Sequence, residues 1–189
     1  MRTLQLPTPQ LVHAYVQRFD TDYAVVETAL RKLFGTFPKN NCADEILLKV
    51  VALNSLYITN IYATSDVADN IFRRDIDRKL DQQSLDLVNE IATVTIKGKL
   101  RRNYSFASKY CAWHLPEIYP IYDSYVDALL WAYQKEYKFS DFARTDLWNS
   151  YPHYVTAIRD FQDHFGLQHF ALKQLDQFLW LYGKEHAAT

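Results

Sequence analysis

An aspartate that follows a proline-containing segment is the residue of this sequence best placed to do chemistry. Asp123 comes directly after Tyr119-Pro120-Ile121-Tyr122 and before a stretch with helical spacing of apolar residues, so it is predicted to lie at a helix N-terminus. Because proline restricts its own backbone and that of the residue before it, the segment has little freedom to move the carboxylate. Such a carboxylate is either an N-cap, which stabilises the helix by about 1 kcal/mol, or a positioned general base.

A cluster of cations lies upstream of this aspartate. Four basic side chains occur within six residues: Lys97, Lys99, Arg101 and Arg102. They surround Gly98, and Asn103 and Ser105 are suited to cap the helix that follows. Backbone amides at a helix N-terminus, flanked by cations, form an anion site, and the backbone of a DNA duplex is the anion that suits a patch rather than a pocket. The segment is therefore predicted to be either a DNA-contacting turn or a solvated charged turn.

The elements that position these residues are predicted to be helical, because apolar residues recur at helical spacing and no segment shows sustained two-residue alternation. The predicted helices span about residues 9–19, 21–34, 43–63, 67–80, 85–96, 105–114, 123–137, 151–165 and 170–182. The helix over 43–63 is apolar on most sides, which is typical of a helix in the middle of a core. The β-branched residues 93–96 leave a short strand open as an alternative.

The predicted fold class is all-α, a compact array of about nine or ten helices in one domain of 189 residues. N-terminal helices (1–42) are expected to pack on a core that contains the cationic turn (43–136), followed by C-terminal helices (137–189). Only four glycines occur, which argues against a glycine-rich phosphate loop. Because the net charge is −1, a role in binding nucleic acid would depend on the local patch.

The residue pattern does not indicate metal, cofactor or membrane binding. Cys42 and Cys111 lie far apart without partners at metal spacing, and no histidine cluster accompanies paired carboxylates such as Asp75 and Asp77. We therefore expect no metal and no cofactor. The sequence shows neither a signal peptide nor a long apolar run, so we expect a cytoplasmic protein without a membrane partner.

The order of these features resembles a known superfamily. Helix, cationic turn, helix, proline-containing link and aspartate follow one another as in the helix-hairpin-helix DNA glycosylases, particularly the 8-oxoguanine DNA glycosylase-like members. The segments that carry the resemblance are 105–111, SFASKYC, and 120–126, PIYDSYV, within a similarity over about residues 45–132. The sequence is most similar to divergent prokaryotic members linked to phage or mobile-element conflict.

The resemblance implies a role for each part. In this family the hairpin turn grips DNA phosphates, and the essential aspartate, matched by Asp123, stabilises the oxocarbenium character of a flipped nucleotide's sugar and orients or deprotonates water. With Ala107 in the place of the family's alanine, the position of the catalytic lysine falls on Ser105, and Lys109 lies about one helical turn further along. The resemblance therefore implies base excision by hydrolysis with Asp123, and Lys109 is kept as a second catalytic candidate.

Candidates for a base pocket come from two stretches of the chain. Trp113, His114 and Tyr122 lie in sequence near the catalytic candidates, although core packing would also explain Trp113 and a helix end would explain His114. Asn54 and Tyr57 fall in the region where family members probe the opened duplex.

Two other functions remain open. A family relative without catalysis would serve as a binding or interaction module in phage defence or counter-defence, with a protein partner or a second copy of the chain. The spacing of Arg159 and His164 fits the arginine–histidine pattern of HEPN-type ribonucleases, which are also all-α, but it also fits a surface helix. Recognition or excision of a modified DNA base with Asp123 is the function that we expect.

Overall fold

The computed structural model describes residues 4–187, and in this range it confirms the all-α prediction. The described chain contains eleven α-helices and one two-stranded antiparallel sheet. There are more helices than the nine or ten predicted, partly because the predicted helix over 67–80 is broken: Asp75 takes a left-handed φ of 48°, which ends one helix before another begins. The chain divides into two compact units, which are described separately below.

The first unit, called the hairpin unit, is Val25–Tyr119. Its elements are α2 (Ala24–Thr36, which begins one residue earlier), α3 (Ala43–Tyr57), α4 (Thr64–Arg73), α5 (Asp77–Asp81), α6 (Leu87–Ala92), β1 (Thr93–Ile96), β2 (Lys99–Arg102) and α7 (Tyr104–His114). Helix α7 packs against α3 and α6, and eight of its eleven residues are buried. It therefore forms the centre of this unit, and it follows β2 directly in the chain.

The second unit, called the terminal unit, combines the chain up to Ala24 with the chain from Pro120 on. Its helices are α1 (Pro9–Asp22), α8 (Ser124–Tyr137), α9 (Arg144–Asn149), α10 (Tyr151–His164) and α11 (Leu172–Ala187). The Thr8 hydroxyl accepts from the amide of Leu11 at the start of α1, and Pro9 lies in the first turn, where proline is favoured. Helix α11 packs against both α1 and α8. That the two units form one domain stays a prediction.

Two predicted helices end earlier than expected. The helix predicted over 43–63 stops at Tyr57, because Ile58 takes a left-handed φ of 52°. Its predicted burial on most sides is also wrong for one face, where Leu48 is 53% exposed. The helix predicted over 85–96 ends at Ala92, and 93–96 form strand β1 instead. Here the β-branched alternative was the right one, since such residues favour extended structure over the last turn of a helix.

Candidate nucleic-acid interface and catalytic residues

The cationic turn is a β-hairpin rather than a loop between two helices. Strands β1 and β2 pair so that Ile96 faces Lys99 and Thr93 faces Arg102. Only Lys97 and Gly98 connect them, with φ of 48° and 74°. Positive φ at both central residues is the geometry of the two-residue turn whose twist matches that of the strands. The hairpin is therefore a short, well-defined ribbon.

The base of this ribbon is fixed to the hairpin unit. Strand β1 packs against α4 and α6, and Val94 is buried there. The amide of Asn103 donates to the carbonyl of Ala92 at 2.8 Å, just below the last strand pair. An isolated two-stranded hairpin is only marginally stable, so these contacts are what hold the strands in place.

Three of the four predicted DNA-binding cations point into solvent. Lys97, Lys99 and Arg101 are exposed, and none is in an ion pair with a carboxylate of residues 4–187. Arg102 is different: its guanidinium donates to Asn89 Oδ1 at 3.2 Å and lies 4.2 Å from the centre of the Tyr104 ring. Arg102 therefore anchors the ribbon, whereas the other three cations are available to an anionic ligand.

Asn103 and Ser105 follow the ribbon. Contrary to the prediction, they do not cap α7. Asn103 occupies the N-cap position of α7 without a side-chain cap hydrogen bond, and its Nδ2 is buried without a hydrogen-bond partner in the described residues. The Ser105 hydroxyl accepts from Lys109 Nζ at 2.5 Å. Contacts of either side chain with DNA stay predictions.

Lys109 lies inside the hairpin unit, near two of the base-pocket candidates, Tyr57 and Trp113. It is only 2% exposed on α7, and its Nζ lies 5.5 Å from the centre of the Tyr57 ring. Trp113, one turn further along α7, donates its indole N–H to the Tyr57 hydroxyl at 3.2 Å. Ser105, Lys109, Trp113 and Tyr57 thus form one polar–aromatic cluster, called the Lys109 cluster below.

Asn54 organises the loop that follows α3. Its Oδ1 accepts from the Thr59 hydroxyl and from the amide of Ile61, each at 2.9 Å, and its Nδ2 donates to the carbonyl of Ile61 at 2.9 Å. The loop contains two non-glycine residues with left-handed backbones, Ile58 and Asn60. Asn54 therefore stabilises a conformation that is unfavourable for a β-branched residue.

His114 is packed among aromatic rings at the end of α7. Its Nε2 is buried without a hydrogen-bond partner in the described residues, and its ring meets those of Phe34 and Tyr110. Burial, reinforced by the charge of Lys49, lowers the pKa of His114 to about 3. The imidazole is therefore neutral near pH 7, and the part of His114 in a base pocket stays a prediction.

Asp123 is the N-cap of α8 in the terminal unit. Its Oδ1 accepts from the amide of Tyr125 at 3.1 Å, and its φ of −145° is extended, as usual at this position. Tyr122, the remaining base-pocket candidate, donates its hydroxyl to Asp127 Oδ2 at 2.8 Å. Asp127 also lies 3.7 Å from Nε of Arg144. The N-cap interpretation of Asp123 is thus confirmed, while its catalytic role stays a prediction.

The segment before Asp123 is clamped by three side chains that sequence reasoning missed. Hydroxyls of two buried tyrosines of α10 donate to its carbonyls: Tyr151 to Pro120 at 2.7 Å and Tyr154 to Ile121 at 2.6 Å. The amide of Ile121 donates to Oδ2 of the buried Asp176 at 2.8 Å. These contacts hold the approach to the carboxylate more firmly than Pro120 alone would. Nothing in the local sequence links these two tyrosines and this aspartate to the segment before Asp123.

Arg159 and His164 both lie on α10 and are exposed. Five residues of α-helix separate their directions by roughly 140°, and the His164 ring packs against Phe165 and Phe139. The two side chains therefore do not share one helix face.

In residues 4–187 no group of three or more histidines, cysteines or acids could hold a metal ion, and none of the helices there is long and apolar enough to cross a membrane.

Comparison with known proteins places the hairpin unit in a family. The model of the HI_0787_N family, an N-terminal domain, matches residues 11–118, a range that includes the hairpin and the Lys109 cluster and ends before Asp123. Over 143 residues the chain is 46% identical to an uncharacterized protein of Haemophilus influenzae, covering 75% of this chain and 68% of that protein. No solved structure matches. Because the family model spans more than half of the 189 residues, the chain belongs to the HI_0787_N family.

Proposed function

We propose that this protein binds duplex DNA through its cationic β-hairpin and uses Asp123 to excise a modified base by hydrolysis, as its resemblance to the helix-hairpin-helix glycosylases implies. The observation that carries the proposal is the ribbon of residues 93–102. It presents three exposed cations without ion pairs in the described chain, and residues 93–105 contain no acidic side chain. A preformed cationic ribbon suits the polyanionic backbone of DNA.

A two-stranded, cationic ribbon is an element that a DNA groove can admit. The major groove of B-DNA, about 12 Å wide, admits a two-stranded β-ribbon. Each cation that neutralises a phosphate releases counterions, so the logarithm of the binding constant falls with the logarithm of salt concentration by about 0.9 per contact. With Lys97, Lys99 and Arg101 as contacts, we expect a slope of about −3 from the ribbon.

The proposed reaction is hydrolysis of the N-glycosidic bond of a flipped nucleotide. The bond from C1′ to the base breaks, and the base leaves with the bonding electrons and takes up a proton. Asp123 stabilises the developing positive charge on the sugar and accepts a proton from the water that forms the new C1′–O bond. The clamped segment supports this role, because a carboxylate fixed before the reaction loses little entropy in it.

The DNA-binding part is tested by fluorescence anisotropy with a labelled duplex over a salt series. Replacing two ribbon cations, Lys99→Gln with Arg101→Gln, should weaken binding and reduce the salt slope by about two. The matched control is Arg31→Gln with Lys32→Gln, two adjacent exposed cations on α2 of the same unit, which should leave both quantities unchanged. Equal effects of the two double variants would contradict the proposed interface.

The catalytic part is tested by measuring free bases and abasic sites after incubation with duplexes that carry different modified bases. Asp123→Asn should abolish base release while leaving DNA affinity and thermal stability unchanged, because asparagine is as good an N-cap as aspartate. Asp146→Asn is the matched control, since Asp146 Oδ2 accepts from the amide of Ala143 at the start of α9. Base release by the Asp123→Asn variant at the wild-type rate would exclude Asp123 as the catalytic carboxylate.

A second candidate is a DNA-binding module without catalysis. It is favoured by one observation: the Asp123 side chain already has a structural role as the N-cap of α8. In this case the wild-type protein would bind duplex DNA with the expected salt slope and release no base from any substrate. The two assays above therefore separate the candidates.

A further inference from the structure

The surface formed by α3 and the loop after it is apolar and uncharged. Of the eleven large apolar side chains that are exposed within residues 4–187, five lie between positions 48 and 62: Leu48, Val51, Leu56, Ile58 and Tyr62. The two in the loop protrude most, since Ile58 is 75% and Tyr62 98% exposed. No charged residue occurs from 50 to 65. This surface is called the α3 patch below. Such a concentration marks an interaction site, whereas single exposed apolar residues are common on any protein surface.

The helical part of the α3 patch has a small residue between bulky ones. Leu48, Val51 and Ser55 are separated by three and four residues, so they lie on the same side of α3, and all three are exposed. Ile58 follows three residues after Ser55, as the C-cap residue of α3. Along the chain the patch therefore has bulky side chains before and after Ser55 and a short one at its middle.

The loop part of the α3 patch is held in a conformation that its own residues disfavour. Ile58 takes a left-handed φ of 52°, which is rare for a β-branched residue. The Asn54 side chain maintains the loop by accepting from the Thr59 hydroxyl and the Ile61 amide and by donating to the Ile61 carbonyl. Strained backbone persists only where its surroundings fix it, and it is concentrated at functional sites. The exposure of Ile58 is therefore imposed by the fold.

We propose that the α3 patch binds the same patch of a second copy of this chain in a two-fold symmetric dimer. The two α3 helices run antiparallel and cross at Ser55, whose small side chain allows a close approach. Val51 of each copy then packs against Ile58 of the other, because positions 51 and 58 lie at similar separations before and after 55. Leu48 meets the loop that carries Tyr62 of the second copy. This inference goes beyond DNA binding and does not rest on it.

The absence of charge favours a second copy as the occupant of the α3 patch. In a two-fold contact the same patch is used by both copies, so a patch of one charge would repel itself. Homodimer interfaces are also more apolar than those of proteins that associate transiently. Two other exposed apolar residues of the hairpin unit lie beside cations: Leu100 between Lys99 and Arg101, and Phe72 before Arg73.

DNA and lipid surfaces fit the α3 patch less well than a neutral protein surface does. Contacts with phosphates require lysine or arginine, and helices that bind membrane surfaces combine apolar insertion with cations on their polar face. Neither lysine nor arginine occurs from 50 to 65. Lys49, the nearest lysine before this range, is fully buried.

Sedimentation equilibrium of the full chain tests the dimer. With rising concentration, the weight-average mass of the wild type should increase from 22.2 kDa toward twice this value. Ile58→Asn should weaken association by roughly a hundredfold, because two buried isoleucines are lost per dimer. It should also raise the thermal stability of the monomer, because asparagine tolerates a left-handed backbone. Ser55→Arg, which places two like charges at the axis, should abolish association. The control Val25→Asp, at an exposed position on α2 of the same unit, should behave like wild type.

A cysteine at the crossing point tests the symmetry of the dimer. In a Cys42→Ser background, Ser55→Cys should form a disulfide between two copies on mild oxidation, because position 55 meets its own equivalent at the axis. Cys42 is replaced because it is partly exposed, whereas Cys111 is buried. Thr28→Cys, at an exposed position on α2, is the control and should form cross-linked dimers far more slowly.

Several outcomes would overturn the dimer. One is a mass of 22.2 kDa at every concentration. Unchanged association of both the Ile58→Asn and Ser55→Arg variants, or equal cross-linking at positions 55 and 28, would place the contact elsewhere. Binding to phosphatidylcholine vesicles that Ile58→Asn abolishes, without self-association, would identify a lipid surface as the occupant. Circular dichroism shows whether Ser55→Arg is folded, and Ile58→Asn keeps the test decisive if it is not.

Discussion

The hairpin unit places the same residue type in two opposite environments. Lys97 and Lys99 on the ribbon are exposed and have no carboxylate partner within residues 4–187. Lys49 on α3 is fully buried, and its Nζ donates to the carbonyls of Phe37 and Lys39 at 3.2 and 2.8 Å and to Asn40 Oδ1 at 2.7 Å. Burial of the ammonium group lowers the pKa of Lys49 to about 8.

The difference separates a structural cation from an available one. A buried ammonium group loses its hydration and is stable only when its donors are satisfied, so the three acceptors around Lys49 fix the chain from 37 to 40 against α3. Asn40 is held in turn by Asp77 and by the Tyr110 hydroxyl. An exposed cation contributes little to stability and keeps its charge for a ligand. The predictions that follow test this contrast.

The largest effect is expected from Lys49→Met, which keeps the stem of the side chain and removes its donors. The carbonyls of Phe37 and Lys39 then lose a buried partner, so the free energy of unfolding should fall by about 3 kcal/mol. Urea titration followed by circular dichroism measures the change. Lys99→Met is the control and should change the free energy of unfolding by less than about 0.5 kcal/mol. Similar losses in both variants would contradict the contrast.

The sequence predicts most of the helices because their signals are local. Apolar spacing, Thr8-Pro9 at the start of α1 and Asp123 at the start of α8 each act within a few residues. The end of α3 was missed, because a left-handed isoleucine is unfavourable by itself and is stabilised by the Asn54 side chain. For residues 93–96 the sequence leaves a helix end and a strand open, because four β-branched residues fit either structure until tertiary packing of Val94 decides.

Only part of the candidate site could be predicted from the sequence. The cations and the N-cap follow from residue type and spacing, whereas the burial of Lys109 does not, because its partner Tyr57 lies 52 positions away in the chain. The clamp on the segment before Asp123 is equally non-local: Tyr151 and Asp176 come from helices far along the chain. Lys49 did leave a signal, as a single cation within the apolar run ILLKVVAL.

A smaller effect, per pH unit, is expected from the pH dependence of His114. Its pKa is about 3 in the folded chain, against an ordinary value of 6.5, so the unfolded chain binds more protons between these pH values. Stability from this group is therefore fully present above pH 6.5 and is lost as the pH falls toward 3. As the pH falls through this window, the equilibrium constant for unfolding should rise by up to tenfold per pH unit. The His114→Phe variant should flatten this dependence of stability on pH. His153→Phe, at an exposed position on α10, should not.

The smallest effect compares two neighbouring arginines of β2. Arg102→Gln removes the hydrogen bond to Asn89 and the contact with the Tyr104 ring, so it should lower the free energy of unfolding by about 1 kcal/mol. Arg101→Gln removes an exposed cation and should leave that energy unchanged while reducing the salt slope of DNA binding by about one. Urea titration and anisotropy on both variants measure the two quantities. If Arg101→Gln destabilised the fold and Arg102→Gln alone reduced the slope, the assignment of one arginine to the fold and the other to the ligand would be reversed.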